Sequence, residues 1–172
     1  YLCEPHMHTC EVSPCGKLSA KEQIKMYIEA GYSTLIITDH FSRNVFCGEK
    51  KDWSMDKKVD YFLNGYRIAK NEAGDKINVI LGMEICFNWG CSDFLVYGPV
   101  EEFLRNYNGE TDLLDLSIDD FIKIAHDNGL LVYQAHPFRN RMTVTPPHLL
   151  DGIEVYNANP RHDSRNDIAL MW

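Results

Sequence analysis

The sequence has no long hydrophobic run and no excess of positive charge. No apolar stretch approaches the roughly 18 to 20 residues that span a bilayer, and no basic-then-apolar leader begins the chain, so we expect a cytoplasmic protein that does not bind membranes. There are 17 Lys and Arg residues against 25 Asp and Glu, which gives a formal charge of −8. This excess of negative charge argues against a large protein surface that binds nucleic acid, because such binding depends mostly on Lys and Arg side chains that neutralise phosphates. An acidic protein can still bind a small phosphorylated substrate if metal ions supply positive charge at the site.

The sequence also lacks several motifs of other protein classes. None of its six cysteines forms a C-x-x-C pair, so a structural zinc knuckle is disfavoured and free thiols are expected. A metal or redox role stays open for Cys10 and Cys15, which lie close to the first histidines. No glycine-rich phosphate loop follows the first strand, which removes the main support for Rossmann and P-loop folds. With 172 residues and no internal repeat or linker, the chain is expected to form one domain over residues 1–172.

What the sequence does contain is an alternation of short β-like runs and amphipathic helical stretches. Helices are predicted after Ser19 and Ser117, over 55–73 and from 166 onward, with glycines at 31, 74 and 129 as stop signals. Strands are predicted at the first histidines and over 33–38, 77–85, 94–98, 130–135 and 152–157. This alternation predicts a parallel α/β protein, either an open doubly wound sheet or a barrel.

Imidazole and carboxylate side chains fall at the ends of these predicted strands. The residues concerned are His6, His8, Asp39, His40, Glu84, Asp93 and His136. Because the C-terminal ends of parallel strands converge on one face, we expect these side chains to meet there. On an extended segment residues i and i+2 point the same way, so His6 and His8 can hold one ion. Nitrogen and oxygen donors of this kind suit zinc, manganese or iron, and a cation would offset the cost of burying several charges.

Each of these residues also has a purely structural interpretation. Asp39 and His40 could form a turn and a helix cap. Glu84 could be a paired carboxylate at a strand end, and Asp93 could be a turn residue. A single His-x-His is a weak signal on its own. The metal site is the stronger hypothesis because four of the seven histidines fall at strand ends.

Five segments, taken in order, resemble the motifs of the PHP superfamily, which is named for polymerase and histidinol phosphatase. They are His6-x-His8, Thr38-Asp39-His40, Gly82-Met83-Glu84-Ile85, Ala135-His136-Pro137-Phe138-Arg139 and Gly152-Ile153-Glu154-Val155-Tyr156-Asn157. The resemblance covers essentially the whole chain. It implies a distorted (β/α)7 barrel of TIM-like form, with a bi- or trinuclear metal site at the C-terminal rim. The family ends in an Asp-x-His motif on its last strand, which we expect to lie beyond Trp172.

The resemblance also implies how the ligands divide among two or three divalent ions, which would be manganese, zinc or iron. His6, His8 and Glu84 match ligands of a first ion, His40 matches a ligand of a second, and Glu84 as a bridge together with His136 matches ligands of a third. Asp93 stands where many members have a histidine, and its harder oxygen favours manganese or iron over zinc. Five or six residues after His-x-His, many members have an Asp or His where this chain has Ser13 and Pro14. Glu11 or Cys15 would have to substitute as that ligand.

Hydrolysis of phosphoesters is the function that the resemblance implies, with a metal-activated hydroxide as the nucleophile. The expected substrate is a small phosphate ester, a nucleotide or a short oligonucleotide. We predict that Arg139 binds the phosphate bidentately, although it could equally be a surface arginine paired with a carboxylate. His162 is predicted to donate to the phosphate or to protonate the leaving group, and Asp39 is the third catalytic candidate.

Two other functions stay open. A metal-dependent amidohydrolase would share the His-x-His, but no lysine stands at a strand end to serve as the ligand that some of those enzymes need. A catalytically silent PHP regulatory module would keep the barrel without full metal occupancy. For an oligonucleotide substrate, a local basic rim could hold a short strand; its members would be Arg139, Arg141, Arg161 and Arg165.

Overall fold

One curled sheet of seven strands organises the fold. The computed structural model describes all 172 residues. The strands are β1 (Cys3–Met7), β2 (Thr34–Ile37), β3 (His40–Ser42), β4 (Asn78–Cys86), β5 (Asp93–Tyr97), β6 (Leu131–Gln134) and β7 (Gly152–Ile153). Their order across the sheet is β1-β2-β4-β5-β6-β7, and β3 pairs with β4 beyond the stretch that pairs with β2. The α/β class is confirmed, and the sheet forms a half barrel consistent with a TIM-like fold.

Five α-helices accompany the sheet. They are α1 (Ala20–Glu29), α2 (Met55–Ala73), α3 (Val100–Asn106), α4 (Ile118–Asp127) and α5 (Asn166–Met171). Ser19 forms the predicted capping box, because its hydroxyl accepts from the Glu22 amide at 3.3 Å while Glu22 Oε2 accepts from the Ser19 amide at 2.9 Å. Helix α3 and strand β3 are not among the predicted elements. None of the helices combines the length and the apolar character needed to cross a bilayer.

Strand β5 runs antiparallel to both of its neighbours, so the prediction of a fully parallel sheet is wrong at this position. Only six residues, 87–92, connect β4 to β5, whereas a parallel crossover needs about a dozen, so the chain forms a hairpin there. The other strand pairs are parallel. Because β5 is reversed, its first residue, Asp93, lies opposite Cys86 at the C-terminal end of β4. The reversal therefore brings Asp93 to the rim where the parallel strands end.

Two apolar clusters hold the strands in place. The larger has 23 buried residues, drawn mainly from α2, α3, α4 and the strands β3 to β6, and the smaller has nine, drawn from α1, α2, β1, β2 and the start of β4. Helix α2 contributes to both clusters and so joins the two halves of the sheet. A fully buried side chain such as Phe62 or Ile24 stabilises the fold by about 1.5 to 3 kcal/mol. The strand ends that carry the polar residues therefore rest on a packed support.

The break between β2 and β3 contains Asp39, whose carboxylate anchors the loop after β1. Asp39 is buried and accepts hydrogen bonds from the Thr9 amide at 2.7 Å, the Thr9 hydroxyl at 2.6 Å and the Ser13 hydroxyl at 2.7 Å. Burial raises the pKa of Asp39, and the hydrogen bonds from Ser13 and Thr9 oppose that rise. Gly65 of α2 packs against this network, because a Cβ there would collide with Thr9 Oγ1 and lie 2.6 Å from Asp39 Oδ2. A glycine at this position lets α2 approach the loop closely.

Replacing Gly65 by alanine is expected to destabilise the protein by about 1 to 3 kcal/mol, the usual cost of overpacking a buried site. In an exposed helix interior the same change would gain about 1 kcal/mol from helix propensity, so the sign of the effect reports the contact with Thr9 and Asp39. The neighbouring, exposed Asn64→Ala is the matched control and should leave stability unchanged or slightly raised. Urea unfolding of both variants makes the comparison. A Gly65→Ala protein as stable as the wild type would contradict this packing.

Candidate metal centre

A cavity of about 1350 Å³ opens on the face where the strands end. Six of the seven strand-end residues predicted to meet there line it: His6, His8, His40, Glu84, Asp93 and His136. They come from β1 and the residue after Met7, from β3, β4 and β5, and from the segment after β6. Segments that lie far apart in the sequence thus deliver one cluster of imidazoles and carboxylates.

Glu84 is the hub of this cluster, and its carboxylate is fully buried. Its Oε1 lies 3.3 Å from His6 Nε2 and 3.1 Å from His136 Nε2. Its Oε2 lies 3.1 Å from His8 Nε2 and 3.0 Å from His40 Nδ1. Burial alone would raise the pKa of Glu84, but the nearby imidazoles of His6, His40 and His8 hold it well below its usual range. An ionised carboxylate therefore faces a nitrogen from each of four rings.

Hydrogen bonds do not satisfy all of the nitrogen and oxygen atoms that face one another in this cluster. The Nε2 atoms of His6 and His8 are 3.1 Å apart, and only one proton can stand between them. Glu84 Oε2 and His136 Nδ1 are buried without a hydrogen-bond partner. Around a tetrahedral ion with bonds near 2.0 Å, ligand atoms stand about 3.3 Å apart, which is close to the separations around Glu84. These residues fit divalent cations bound among them.

Three overlapping groups of donors could each hold an ion. They are His6, Glu84 and His136; His40, Glu84 and Asp93; and His8, Cys15 and His40, with the donor atoms of each group within 4.8 Å of one another. Glu84 and His40 each belong to two groups, so neighbouring positions share a ligand. This arrangement is compatible with a centre of more than one ion.

Glu154, directly after β7, orients two of the histidines. Its Oε1 accepts a hydrogen bond from His6 Nδ1 at 2.8 Å, and its Oε2 accepts one from the His136 amide at 2.9 Å. The first bond leaves His6 Nε2 directed at Glu84. A carboxylate behind a metal-ligating imidazole fixes its tautomer and its orientation. Glu154 belongs to one of the motifs but has no predicted role, because the strand predicted over 152–157 runs through it, whereas β7 ends at Ile153 and leaves Glu154 directly after a strand end.

The titratable groups of the cluster differ in charge. Burial would lower the pKa of His6, but Glu84 and Glu154 outweigh it and raise that pKa to about 10. Burial lowers the pKa of His40 to about 4, and the opposing effect of Glu84 is smaller. Burial and the Glu84 charge together raise the pKa of Asp93 to about 7. The carboxylates around His6 therefore favour its protonated form, a cation that binds there would displace that proton, and His40 is a neutral ring.

His136 has a backbone conformation that is uncommon for a residue with a side chain. Its φ is +30°, outside the regions that L-residues favour. Its amide donates to Glu154, and its Nε2 lies 3.1 Å from Glu84 Oε1 and 3.8 Å from Asp93 Oδ2. Strain of this kind costs about 1 to 3 kcal/mol and is found where the surrounding structure demands it, most often at functional sites.

Two of the predicted site residues lie elsewhere. Asp39 does not line the cavity, and its carboxylate is engaged by Thr9 and Ser13, so it is not among the residues that the structure brings to the cluster. Glu11 also lies outside the cavity, and its two carboxylate oxygens accept from the Ala20 amide at 3.2 and 3.0 Å. Glu11 thus caps the first turn of α1, where a negative charge is favourable, and is not positioned as a metal ligand.

Arg139 lines the same cavity, where two hydrogen bonds hold its guanidinium. Its Nη2 donates to Asn157 Oδ1 at 3.2 Å and to Ser164 Oγ at 3.0 Å, while its buried Nε has no partner. Burial lowers the pKa of Arg139, and the carboxylates of Glu84 and Asp93 oppose that shift. The structure thus places a partly desolvated cation beside the cluster, and it does not pair Arg139 with a surface carboxylate.

The remaining predicted cations divide into two pairs. His162 and Arg161 line the cavity, and both are exposed. Arg141 and Arg165 do not line it, so two of the four arginines of the predicted basic rim, Arg139 and Arg161, are at the cavity. Both have a positive φ, of +73° for Arg141 and +51° for Arg165, and Arg165 is the residue that directly precedes α5.

A model of the PHP domain family matches residues 4–167 of the chain. No curated protein matches it significantly. Among solved structures, one neighbour is a protein from Bifidobacterium adolescentis assigned provisionally as a metal-dependent phosphoesterase, with 14% sequence identity and a TM-score of 0.57 over 98% of this chain and 82% of its own. Another is an amidohydrolase from Chromobacterium violaceum, determined with bound sulfate and no metal, with 16% identity and a TM-score of 0.54 over 89% of this chain and 76% of its own.

Replacing Glu84 by glutamine is expected to lower metal affinity by about 100-fold or more, because the change removes a charged ligand shared by two of the groups. Glu11→Gln is the matched control, since an amide oxygen can still accept from Ala20, and it should keep the metal content of the wild type. Elemental analysis after dialysis measures both, with thermal unfolding to verify the fold. Equal metal loss in the two variants, or none in Glu84→Gln, would contradict the assignment of Glu84 as the hub.

Proposed function

The chain belongs to the PHP domain family, and on that premise we propose that it is a metal-dependent phosphoesterase. The family and the fold neighbours support a metal-dependent hydrolase. The observation that carries the narrower proposal is the guanidinium of Arg139 in the same cavity as the metal-binding cluster. A phosphate ester offers the paired anionic oxygens that guanidinium binds best, whereas a neutral amide does not.

The first task of the chain is to hold the ligands ready. Divalent ions bound by the cluster would supply Lewis-acid activation of a water molecule and would offset the charge of the phosphate. Glu154 keeps His6 Nε2 directed inward, and the Ser13 hydroxyl accepts from the His40 amide at 2.9 Å, which fixes the start of β3. These contacts prepare the geometry before a substrate arrives, so little reorganisation is needed during the reaction.

Arg139 is the proposed phosphate-binding group. Both of its hydrogen bonds, to Asn157 and to Ser164, are made by Nη2, so they restrict the guanidinium and leave Nη1 without a protein partner to donate to a substrate oxygen. Asn157 Nδ2 also donates to Glu154 at 3.2 Å, so Arg139 is linked through Asn157 to the carboxylate that orients His6. The position of the phosphate is in this way coupled to that of the metal ligands.

His162 is the proposed proton donor to the leaving group. It lies at the exposed edge of the cavity, where a leaving alcohol would depart toward solvent. Arg161 is next to it and its Nη2 donates to the Cys15 carbonyl at 3.1 Å, which connects this edge to the loop after β1. Since two arginines line the cavity in place of the four expected, we propose a small phosphate ester or the end of a nucleotide or short oligonucleotide as the substrate.

One fold neighbour is an amidohydrolase, but no observation in the cavity of this chain favours amide hydrolysis over phosphoester hydrolysis. Lys17 is the one lysine that lines the cavity, and it is exposed and lies in the loop after β1, away from any strand end. The side chains that pair with the Glu84 carboxylate are all imidazoles, and no lysine is among them.

Removal of metal is expected to abolish hydrolysis of a generic phosphate monoester such as p-nitrophenyl phosphate, and manganese or zinc is expected to restore it. The reason is that no protein group in the cavity is placed to replace the Lewis acid. Parallel assays with an aryl amide serve as the control and should show no turnover. Metal-dependent hydrolysis of the amide alone would favour an amidohydrolase, and tight metal binding without hydrolysis of either would favour a silent module.

The Arg139→Ala variant is expected to lose about 100-fold in kcat/KM for the phosphate ester, a loss typical of removing one preorganised donor. Its metal content should equal that of the wild type, because Arg139 does not belong to any of the donor groups. Arg141→Ala, two residues along and outside the cavity, is the control and should be fully active. Steady-state kinetics with elemental analysis tests this, and unchanged kinetics in Arg139→Ala would refute the assigned role.

A further inference from the structure

We propose that Cys15 completes a sulfur-containing metal position with His8 and His40, and that this position selects zinc over manganese. The inference rests on the proposed function and deepens it, because it concerns the same metal centre and assigns a ligand in place of the Asp or His expected in the loop after β1. Ser13 and Pro14 stand where an Asp or His was expected, so the loop after β1 needs another donor if that position is to be filled.

The geometry brings the three donors together. The Sγ of Cys15 and one ring nitrogen each of His8 and His40 lie within 4.8 Å of one another. The two rings stack with their centroids 4.5 Å apart and an interplanar angle of 12°, so their nitrogens reach the same region. Glu84 Oε2 lies 3.1 Å from His8 and 3.0 Å from His40, and it is buried without a hydrogen bond. An unpartnered, fully buried oxygen thus points at this group and can serve as a fourth ligand.

The other candidates in the loop are committed elsewhere. The Ser13 hydroxyl donates to Asp39 at 2.7 Å and accepts from the His40 amide at 2.9 Å. Glu11 caps α1 through the Ala20 amide. Pro14 has no donor atom in its side chain, and Cys10 is exposed and lies outside the cavity. Cys15 is therefore the loop residue that remains to bind an ion.

The backbone holds Cys15 in this place. The Arg161 guanidinium donates to the Cys15 carbonyl at 3.1 Å from the far side of the cavity. The next residue, Gly16, donates its amide to the Ser13 carbonyl at 2.9 Å, and a Cβ on Gly16 would lie 2.5 Å from the Thr9 carbonyl. The turn is therefore packed too closely for a larger residue at position 16, and Cys15 keeps its orientation toward the two imidazoles.

The chemistry of the donors distinguishes this position from its neighbours. One thiolate with two imidazoles and a carboxylate oxygen is a soft, nitrogen-rich set that suits tetrahedral zinc, whereas the group of His40, Glu84 and Asp93 has two harder carboxylates. Burial and the Glu84 charge raise the pKa of the Cys15 thiol to about 11, so the metal-free thiol is protonated. Metal binding there would displace a proton, as is general for cysteine ligands.

Cobalt(II), a spectroscopic substitute for zinc, tests the proposal without any measurement of turnover. The wild-type protein, stripped by a chelator and loaded with cobalt(II), should show a sulfur-to-cobalt charge-transfer band in the near ultraviolet. Cys15→Ser should lose this band, bind one zinc ion fewer per chain and keep its manganese content, whereas the exposed Cys10→Ser should keep the band. No band in the wild type, or a band that persists in Cys15→Ser, would overturn the proposal.

A second measurement uses the wild type and so does not depend on the folding of a variant. Zinc should slow the alkylation of Cys15 by iodoacetamide at least about tenfold, and should leave Cys10 and Cys47 unaffected, as followed by peptide mass spectrometry. Equal rates for Cys15 with and without zinc would count against its ligation. If the protein shows the cobalt band but does not hydrolyse phosphate esters, the proposed phosphoesterase activity is contradicted and Cys15 is still a ligand. If the protein hydrolyses phosphate esters but shows no band, the activity stands and the Cys15 ligand is contradicted.

Discussion

The burial of one carboxylate among four imidazoles is the constraint on which the site depends. Glu84 lies in β4 with no exposure to solvent, where an unpaired charge would cost several kcal/mol. Protonated His6 offsets part of that cost, as its pKa of about 10 indicates. The second oxygen of Glu84 still has no hydrogen bond, and the nitrogens of His8 and His40 lie 3.1 and 3.0 Å from it. The cluster therefore has room for more positive charge than the protein itself provides, which is the physical basis for a metal centre.

Two further carboxylates hold the ligand-bearing segments without belonging to a donor group. Glu154 connects the end of β7 to His6 and to the His136 amide, where it supports a strained backbone. Asp39 fixes the loop after β1 through Thr9 and Ser13, and Ser13 in turn accepts from the His40 amide. The His6 ring is thus oriented by a carboxylate from behind, and His136 and His40 are held through their backbone amides, which is how metal sites commonly gain affinity and rigidity.

The helices and the buried strands could be predicted from the sequence because their signals are local. The Ser19 capping box and the continuous apolar run before Asp39 depend only on near neighbours, and both elements are present. The direction of β5 depends on how the chain returns after β4. The pattern of apolar residues does not contain this information, so it did not reveal the hairpin. The short loop between the two strands was the available signal, because it cannot hold a crossover.

The site residues show the same difference between what local sequence signals reveal and what depends on the folded chain. Position at a strand end selected Glu84 and the four histidines that the structure brings to one cavity, since the topology brings those ends together, and their role as metal ligands stays a prediction. Position alone could not distinguish a carboxylate that faces the cavity from one that faces the protein interior. Asp39 faces the interior, where it accepts three hydrogen bonds from Thr9 and Ser13. Likewise, only the folded loop shows that Glu11 is used by α1 and that Cys15 reaches His8 and His40.

A crystal structure of the metal-loaded protein, with anomalous scattering recorded at the metal absorption edge, tests whether Glu84 is the ligand that the metal ions share. We expect at least two anomalous peaks, both about 2.0 to 2.2 Å from an oxygen of Glu84 and each bound to histidine nitrogens of the cluster. Peaks at other places on the surface, or a Glu84 carboxylate paired only with protonated histidines at saturating metal, would contradict the account.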